Sequence, residues 1–244
     1  MSESGFRFFG VDYSVWLSRK LPDGAKIVDG GGFSQDASGH WYINLPVEFS
    51  VDATQSNAPA VGIDLGLKDL AVLSTGEKIT APRIFRAAEK KLAFAQRAKN
   101  KRRVQRIHRK IFNQRRDFLH KTSINLIRRY GTIVVGNINA SGLAKTRMAK
   151  SVLDASWTTL RDQLRYKAIT HGVRYLEVGE AYTSQTCSAC GCLPESRPRG
   201  IAGLDKRKWI CSDCGTFHDR DINSAINILK RGCGHAAPVG EFRL

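Results

Sequence analysis

Over the first 58 residues, apolar and polar side chains alternate along the chain. Phe6, Phe8, Val11, Tyr13, Val15 and Leu17 stand mostly at alternate positions, and Trp41, Ile43, Leu45 and Val47 alternate more cleanly. A period of two predicts short strands, and Gly30-Gly31-Gly32 and Asp36-Ala37-Ser38-Gly39 supply turns between them. Asp52 to Pro59 is polar and reads as a linker. The apolar run from Ala60 to Leu67 predicts a strand carrying one acid, Asp64, and closed by Gly66; Leu70 to Ser74 followed by Thr75-Gly76 predicts a second strand and a hairpin. Arg83 to Tyr130 contains neither proline nor glycine, and Val104, Ile107, Ile111 and Phe118 recur at helical spacing, which predicts a helical pair with a thin apolar stripe. Ile133 to Gly136 reads as a buried strand, about 150–171 as a helix, Val173 to Val178 as a strand and Asp221 to Lys230 as a last helix with Ile222, Ala225, Ile226 and Leu229 on one face. The expected close is a flexible tail over 232–244.

Charge changes this picture. The 244 residues hold 39 Lys and Arg against 22 Asp and Glu, a formal net charge of +17. The helical stretch Arg83–Tyr130 alone carries 17 basic residues and two acids, Glu89 and Asp117, and so holds nearly all of the excess. A basic run is usually a solvated helix face, but charge this concentrated on a helical pair favours a surface that meets phosphates, where released counterions drive binding. Lys101, Arg102, Arg103, Arg106, Arg109, Lys110, Arg115 and Arg116 are the candidate nucleic-acid contacts. The chain lacks an apolar run of membrane-spanning length and the layout of a signal peptide, so a cytoplasmic, reducing setting is expected.

In such a setting clustered cysteines hold metal more often than they form disulfides. Cys187-x-x-Cys190 and Cys211-x-x-Cys214 are two chelating knuckles, separated by an insert that folds back to bring them together. Four thiolates form the closed tetrahedral shell of a structural zinc ion, with no open position for chemistry. Cys192 and Cys233 fall outside this spacing and read as free thiols. Arg197, Arg199, Lys206, Arg207 and Lys208 lie in the insert, as nucleic-acid contacts or as ordinary loop charge.

Three acids stand where chemistry could use them. Asp64 ends an apolar strand, where an unpaired carboxylate is costly. Asp219 and Asp221 stand just before the last helix. Divalent ions held by carboxylates from different elements are the usual apparatus of phosphodiester hydrolysis. The plainer readings are a turn residue for Asp64 and a helix cap or first-turn acid for Asp221. Spacing alone does not choose.

The ordered set Val61-Gly62-Ile63-Asp64-Leu65-Gly66, Arg115 to Lys121, Tyr182 to Gly191, Cys211 to Gly215 and His218-Asp219-Arg220-Asp221-Ile222-Asn223-Ser224-Ala225 resembles the TnpB (OrfB) family of transposon-encoded, RNA-guided DNA nucleases, relatives of the type V CRISPR effectors. The resemblance runs from about residue 25 to 231. It implies an α/β fold: an RNase H-like (RuvC) core over 59–231 with a basic helical insert at 83–130 and a four-cysteine zinc ribbon at 183–217. A partial, oligonucleotide-binding-like β-barrel segment over 1–58 would precede it. It further implies Asp64 and Asp221 as catalytic acids, Mg²⁺ as catalytic cofactor, zinc on the four cysteines, and DNA and a guide RNA as partners.

Two departures from the family pattern stand out. The chain is short at its N-terminal side, where only the later part of the barrel is expected. The position that carries a metal-binding Glu in the family is Gly136 here, in Val135-Gly136-Asn137-Ile138-Asn139. Either the site is dead and the protein is an inactive nucleic-acid binder, or another acid has moved in. Glu180 is the candidate, because it closes a strand that should neighbour Gly136, about 4.8 Å away. Glu177, read as lying on the same face but deeper in the strand, is the weaker substitute.

Overall fold

In a computed structural model the protein is described at residues 4–16, 20–21, 24–36, 39–50, 58–137, 156–199, 203 and 205–234. Residues 235–244, which hold most of the expected tail, and Ile138 to Ala155, which include Leu153, lie outside these residues. Two units divide the chain, Met1–Asp52 and Ala53–Leu244.

The first unit is made of two-stranded antiparallel ladders. Strands β1 (Ser4–Phe8) and β2 (Val11–Val15) form a hairpin, β4 (Gly32–Gln35) pairs with β5 (Trp41–Asn44), and β3 (Lys26–Ile27) pairs with β6 (Val47–Glu48). The β1–β2 turn places Phe9 and Gly10 at positive φ, the geometry that matches strand twist in two-residue hairpins. Trp16 and Trp41 stand exposed, so alternation in this unit does not mark a buried face among the described residues.

The second unit is built on a five-stranded mixed sheet in the order β11 (Arg174–Val178), β10 (Thr132–Gly136), β7 (Ala60–Leu65), β8 (Asp69–Leu73), β9 (Lys78–Thr80). Strands β7, β10 and β11 run parallel, and β8 and β9 complete the sheet through antiparallel pairings, β8 with β7 and β9 with β8. Side chains alternate across the sheet. Val61, Ile63, Leu65, Ile133 and Val135 face one core, filled by Leu119, Leu126 and Ile127 of helix α2 (Lys101–Arg129) and by Trp157, Leu160 and Leu164 of helix α3 (Trp157–Thr170). The intervening residues Gly62, Asp64, Val134 and Gly136 face the other side.

That other side is covered by the last helix, α4 (Arg220–Gly232). It lies almost on the backbone of β7. A Cβ on Gly62 would come within 2.1 Å of the Ala225 carbonyl oxygen, and one on Gly232 within 2.4 Å of Val134. These two glycines let helix and sheet approach closely. Helix α4 runs through Gly232, one residue into the stretch expected to be tail. Helix α1 (Ile84–Arg97) precedes α2; the break between them is set by Lys99 at positive φ and by Asn100, whose side chain caps α2 by accepting from the Arg103 amide at 3.0 Å. The apolar stripe read for this pair is real, with Ile111 buried and Val104, Ile107 and Phe118 half-buried.

Candidate active site and metal centre

Asp64 is carried on the α4 face of β7, one residue before the strand ends. Its carboxyl is pushed up to about 8, first by burial and then by the negative charges of Glu180 and Asp221; a Ser224 hydrogen bond and the Arg220 charge oppose this. Glu180 and Asp221 therefore both approach Asp64 closely enough for their charges to act on it. Glu180 stands two residues beyond the end of β11, and its carboxyl is pushed up to about 7 by burial, with Arg161 opposing. Its Oε1 is enclosed and has no hydrogen-bond partner among the described residues. That oxygen lies 2.2 Å from where a Cβ on Gly136 would be. Glu180 thus reaches back over β10 into the space a side chain at 136 would fill.

Asp221 sits in the first turn of α4 and pairs with two arginines, Arg207 Nη1 at 2.6 Å and Arg220 Nε at 3.4 Å. Asp219, not Asp221, caps the helix: its Oδ1 accepts from the amides of Asp221 at 3.1 Å and Ile222 at 3.3 Å. Burial works against the Asp219 carboxylate, yet Lys78 Nζ at 2.8 Å and these amides hold it below the usual range.

The segment that carries Glu180 into the first cysteine knuckle is tied to α4. Ser224 Oγ donates to Thr183 Oγ1 at 3.0 Å, and Thr183 Oγ1 donates to the Glu180 carbonyl at 2.9 Å. Asn223 donates to the Thr186 carbonyl at 2.8 Å and accepts from the Ser188 amide at 2.8 Å, while Asn227 donates to the carbonyls of Thr183 and Thr186 at 2.8 and 2.7 Å. Arg231 adds a hydrogen bond to the Gly179 carbonyl.

Glu177 corrects the sequence reading. It pairs in register with Val135, so it faces α3 rather than α4. There it binds Arg165 at 2.5 Å, accepts from the Tyr175 hydroxyl at 2.8 Å and lies 3.5 Å from Arg161. It is a structural ion-pair partner on the opposite face of the sheet and takes no part in the acid cluster.

The four cysteines come together as their spacing implies. Cys187, Cys190, Cys211 and Cys214 place their sulfurs within 4.8 Å of one another, Cys187 and Cys214 at 3.6 Å and Cys190 and Cys211 at 3.8 Å. Four sulfurs each about 2.3 Å from one tetrahedral ion stand roughly 3.8 Å apart, so the arrangement fits zinc. Each knuckle turns through a glycine at positive φ, Gly191 and Gly215, whose amides donate to the Cys187 and Cys211 carbonyls at 2.8 and 2.9 Å. The strands β12 (Lys208–Ile210) and β13 (Phe217–Asp219) pair beside them. Cys192 and Cys233 are exposed and outside the cluster.

Comparison with known proteins is consistent with this arrangement. Residues 44–147 match a family described as "Probable transposase" (OrfB_IS605), and residues 157–228 match the "Cas12f1-like, TNB domain". A protein of Streptomyces pristinaespiralis named "Putative RNA-guided DNA endonuclease" is 38% identical over 90% of this chain and 56% of its own length. A protein of Escherichia coli K12 named "Putative RNA-guided DNA endonuclease InsQ" is 34% identical over 83% of this chain and 58% of its own length. The chain belongs to the TnpB family. It spans a little over half the length of these TnpB relatives. A solved Cas12f1–sgRNA–target DNA complex shares the fold at a TM-score of 0.54 and 19% identity, over 81% of this chain and 55% of that one.

In this TnpB-family chain the basic side chains predicted to meet nucleic acid divide by exposure. Lys101, Arg102, Arg103, Arg106, Arg109, Lys110 and Arg116 are exposed on α2, whereas Arg115 is half-buried. Arg103 lies over the Phe94 ring of α1 at 5.5 Å. Of the insert's basic residues, Arg197 donates to the Leu193 and Pro194 carbonyls and Arg207 is committed to Asp221. Sequence reasoning missed Ser224, Thr183, Asn227 and Arg161, and left the role of Arg207 open. Ser224 and Asn227 follow Asp221 at three and six residues, a helical spacing that was the available signal. Among the described residues no helix is long and apolar enough to cross a membrane.

Proposed function

We propose that this chain carries the hydrolytic centre of an RNA-guided, Mg²⁺-dependent DNA endonuclease of a transposable element. The sheet with α3 and α4 is read as an RNase H-like (RuvC) core within 59–231, the cysteine segment 183–217 as its zinc ribbon, 83–130 as its basic insert, and 1–58 as part of an oligonucleotide-binding barrel. The observation that carries the reading is the convergence of two acids, Glu180 and Asp221, on the buried Asp64 at one end of the sheet, with a buried Glu180 oxygen left without a partner among the described residues. Such a group of acids is stabilised by divalent cations. Bound there, Mg²⁺ would lower the pKa of a coordinated water and neutralise charge on the phosphate.

The chain's own residues supply the rest. Asp64, Glu180 and Asp221 would hold the ions from β7, the segment after β11 and α4. Thr183, which accepts from Ser224, fixes the backbone under Glu180. Zinc on Cys187, Cys190, Cys211 and Cys214 would be structural, and the exposed face of α2 would bind guide RNA and DNA through phosphates. The relatives named as RNA-guided DNA endonucleases support these partners. A second reading, a catalytically inactive nucleic-acid binder, is favoured by one observation: Arg207 neutralises Asp221. Cleavage of labelled DNA by the parent and by Asp64→Ala, with Mg²⁺ and co-purified RNA, separates the two. Loss of cleavage in Asp64→Ala with nucleic-acid binding retained supports the nuclease. Equal cleavage by both proteins removes Asp64 from the site, and binding without cleavage by both establishes the binder.

A further inference from the structure

Beside the cysteine cluster stands a side chain that the metal site itself does not use. His218 is 6% exposed, and its Nε2 lies 3.0 Å from the sulfur of the fully buried Cys187. It is not a fifth member of the ligand group, which comprises the four sulfurs alone. Its ring is held by Trp209, its register partner across β12 and β13, at 4.6 Å between centroids. The next residue, Asp219, caps α4, and Asp221 follows two residues later.

We propose that His218 donates its Nε2 hydrogen to the Cys187 thiolate when the cysteines hold zinc, and so ties retention of the ion to the start of α4. This rests on the zinc reading of the four cysteines. Four thiolates around a dication leave two negative charges in excess, and Cys187 carries its share without solvent. A metal-bound thiolate has no proton to give, so the facing nitrogen carries the hydrogen. Donation to sulfur draws off part of that charge, and partners of this kind commonly change metal affinity by about 10–100-fold. A second tether acts in parallel, since the Ser188 amide of the first knuckle is bound by Asn223 of α4.

The test uses the full chain as His218→Phe, which keeps a ring against Trp209 without the donor, and His218→Gln, which keeps a donor without the ring. Zinc transfer to an excess of colorimetric chelator is timed, and the sulfur-to-metal charge-transfer band is recorded after replacement by Co²⁺. In His218→Phe, zinc should leave roughly tenfold faster or more, the band should move to lower energy, and the Ile222 amide should exchange faster with deuterium. His218→Gln should stay near the parent in release rate and band position. Equal release and an unmoved band in His218→Phe overturn the proposal while leaving the zinc site intact, and equal loss in both variants reduces His218 to a packing role and overturns it too. A parent protein that holds neither zinc nor Co²⁺ overturns the zinc reading itself, and the proposal with it.

Discussion

A Cβ on residue 136 would lie 2.2 Å from Oε1 of Glu180, closer than any real contact. The absence of a side chain at 136 and the presence of an acid at 180 are two sides of one arrangement. Gly136 is on the sheet face that also carries Asp64, so the Glu180 carboxylate enters the position over β10 that a side chain from 136 would otherwise take. Gly136→Ala should therefore expel Glu180. The atoms a Cβ at 136 would meet all belong to the Glu180 side chain, which can swing away, so a thermal melt should show little loss. Cleavage should fall far more than stability, as single-turnover rates would show; rates equal to the parent would remove Glu180 from the metal site.

The same relationship makes the acid transferable. A Gly136→Glu, Glu180→Gly double variant puts the carboxylate on β10 itself with the competing side chain gone. It should recover cleavage that either single variant loses, the double-mutant signature of two positions sharing one space. A double variant no better than the worse single would deny the shared space.

Protonation gives an independent check. Asp64 and Glu180 are raised to about 8 and about 7 from ordinary values of 3.8 and 4.5. In this window the folded, metal-free chain holds protons that the unfolded chain has released. Its stability therefore falls as pH rises from about 4 to about 8, by up to about 1.4 kcal/mol per pH unit for each such proton. Mg²⁺ should reverse the loss, with a stabilisation that grows between about pH 6 and 8 as the acids lose their protons. Asp64→Asn should flatten the metal-free pH dependence and blunt the Mg²⁺ effect. Melting curves in chelator and in Mg²⁺ across this range decide it, and a pH-independent metal-free parent would contradict it.

Much of this site is legible in the sequence, for reasons of local chemistry. An acid closing an apolar strand marks Asp64, and two Cys-x-x-Cys-Gly knuckles mark the ribbon, because glycine is what each turn needs. Facing is easily misread. Glu177 stands three residues before Glu180, an odd offset that alternation sends to the opposite face, and register with Val135 turns it toward α3. Roles that depend on long-range approach are not legible at all. Arg207 stands among five basic residues of a loop, and nothing local distinguishes the one that reaches Asp221.

That ion pair makes its own prediction. Arg207 occupies the carboxylate that would hold a metal, so Arg207→Ala should move the midpoint of Mg²⁺-induced stabilisation to lower concentration, by several-fold for a pair of about 1 kcal/mol. An unchanged midpoint would mean that Arg207 and the ion do not compete.

The basic face of α2 should act through phosphates. Replacing Lys101, Arg102, Arg106 and Arg109 by glutamine should weaken DNA and RNA binding alike and reduce the slope of log K against log salt by up to about four. All four side chains are exposed, so the melting temperature should change little. An unaltered slope would place the phosphate contacts on another surface.

The most direct measurement is Mg²⁺-dependent cleavage of labelled DNA in the presence of co-purified RNA, comparing the parent with Glu180→Gln, which keeps size and shape and removes the charge. The rearranged acid site requires cleavage by the parent and its loss in Glu180→Gln, with nucleic-acid binding unchanged. Cleavage of equal rate by both proteins would show that Glu180 holds no metal and does not supply the acid missing at position 136.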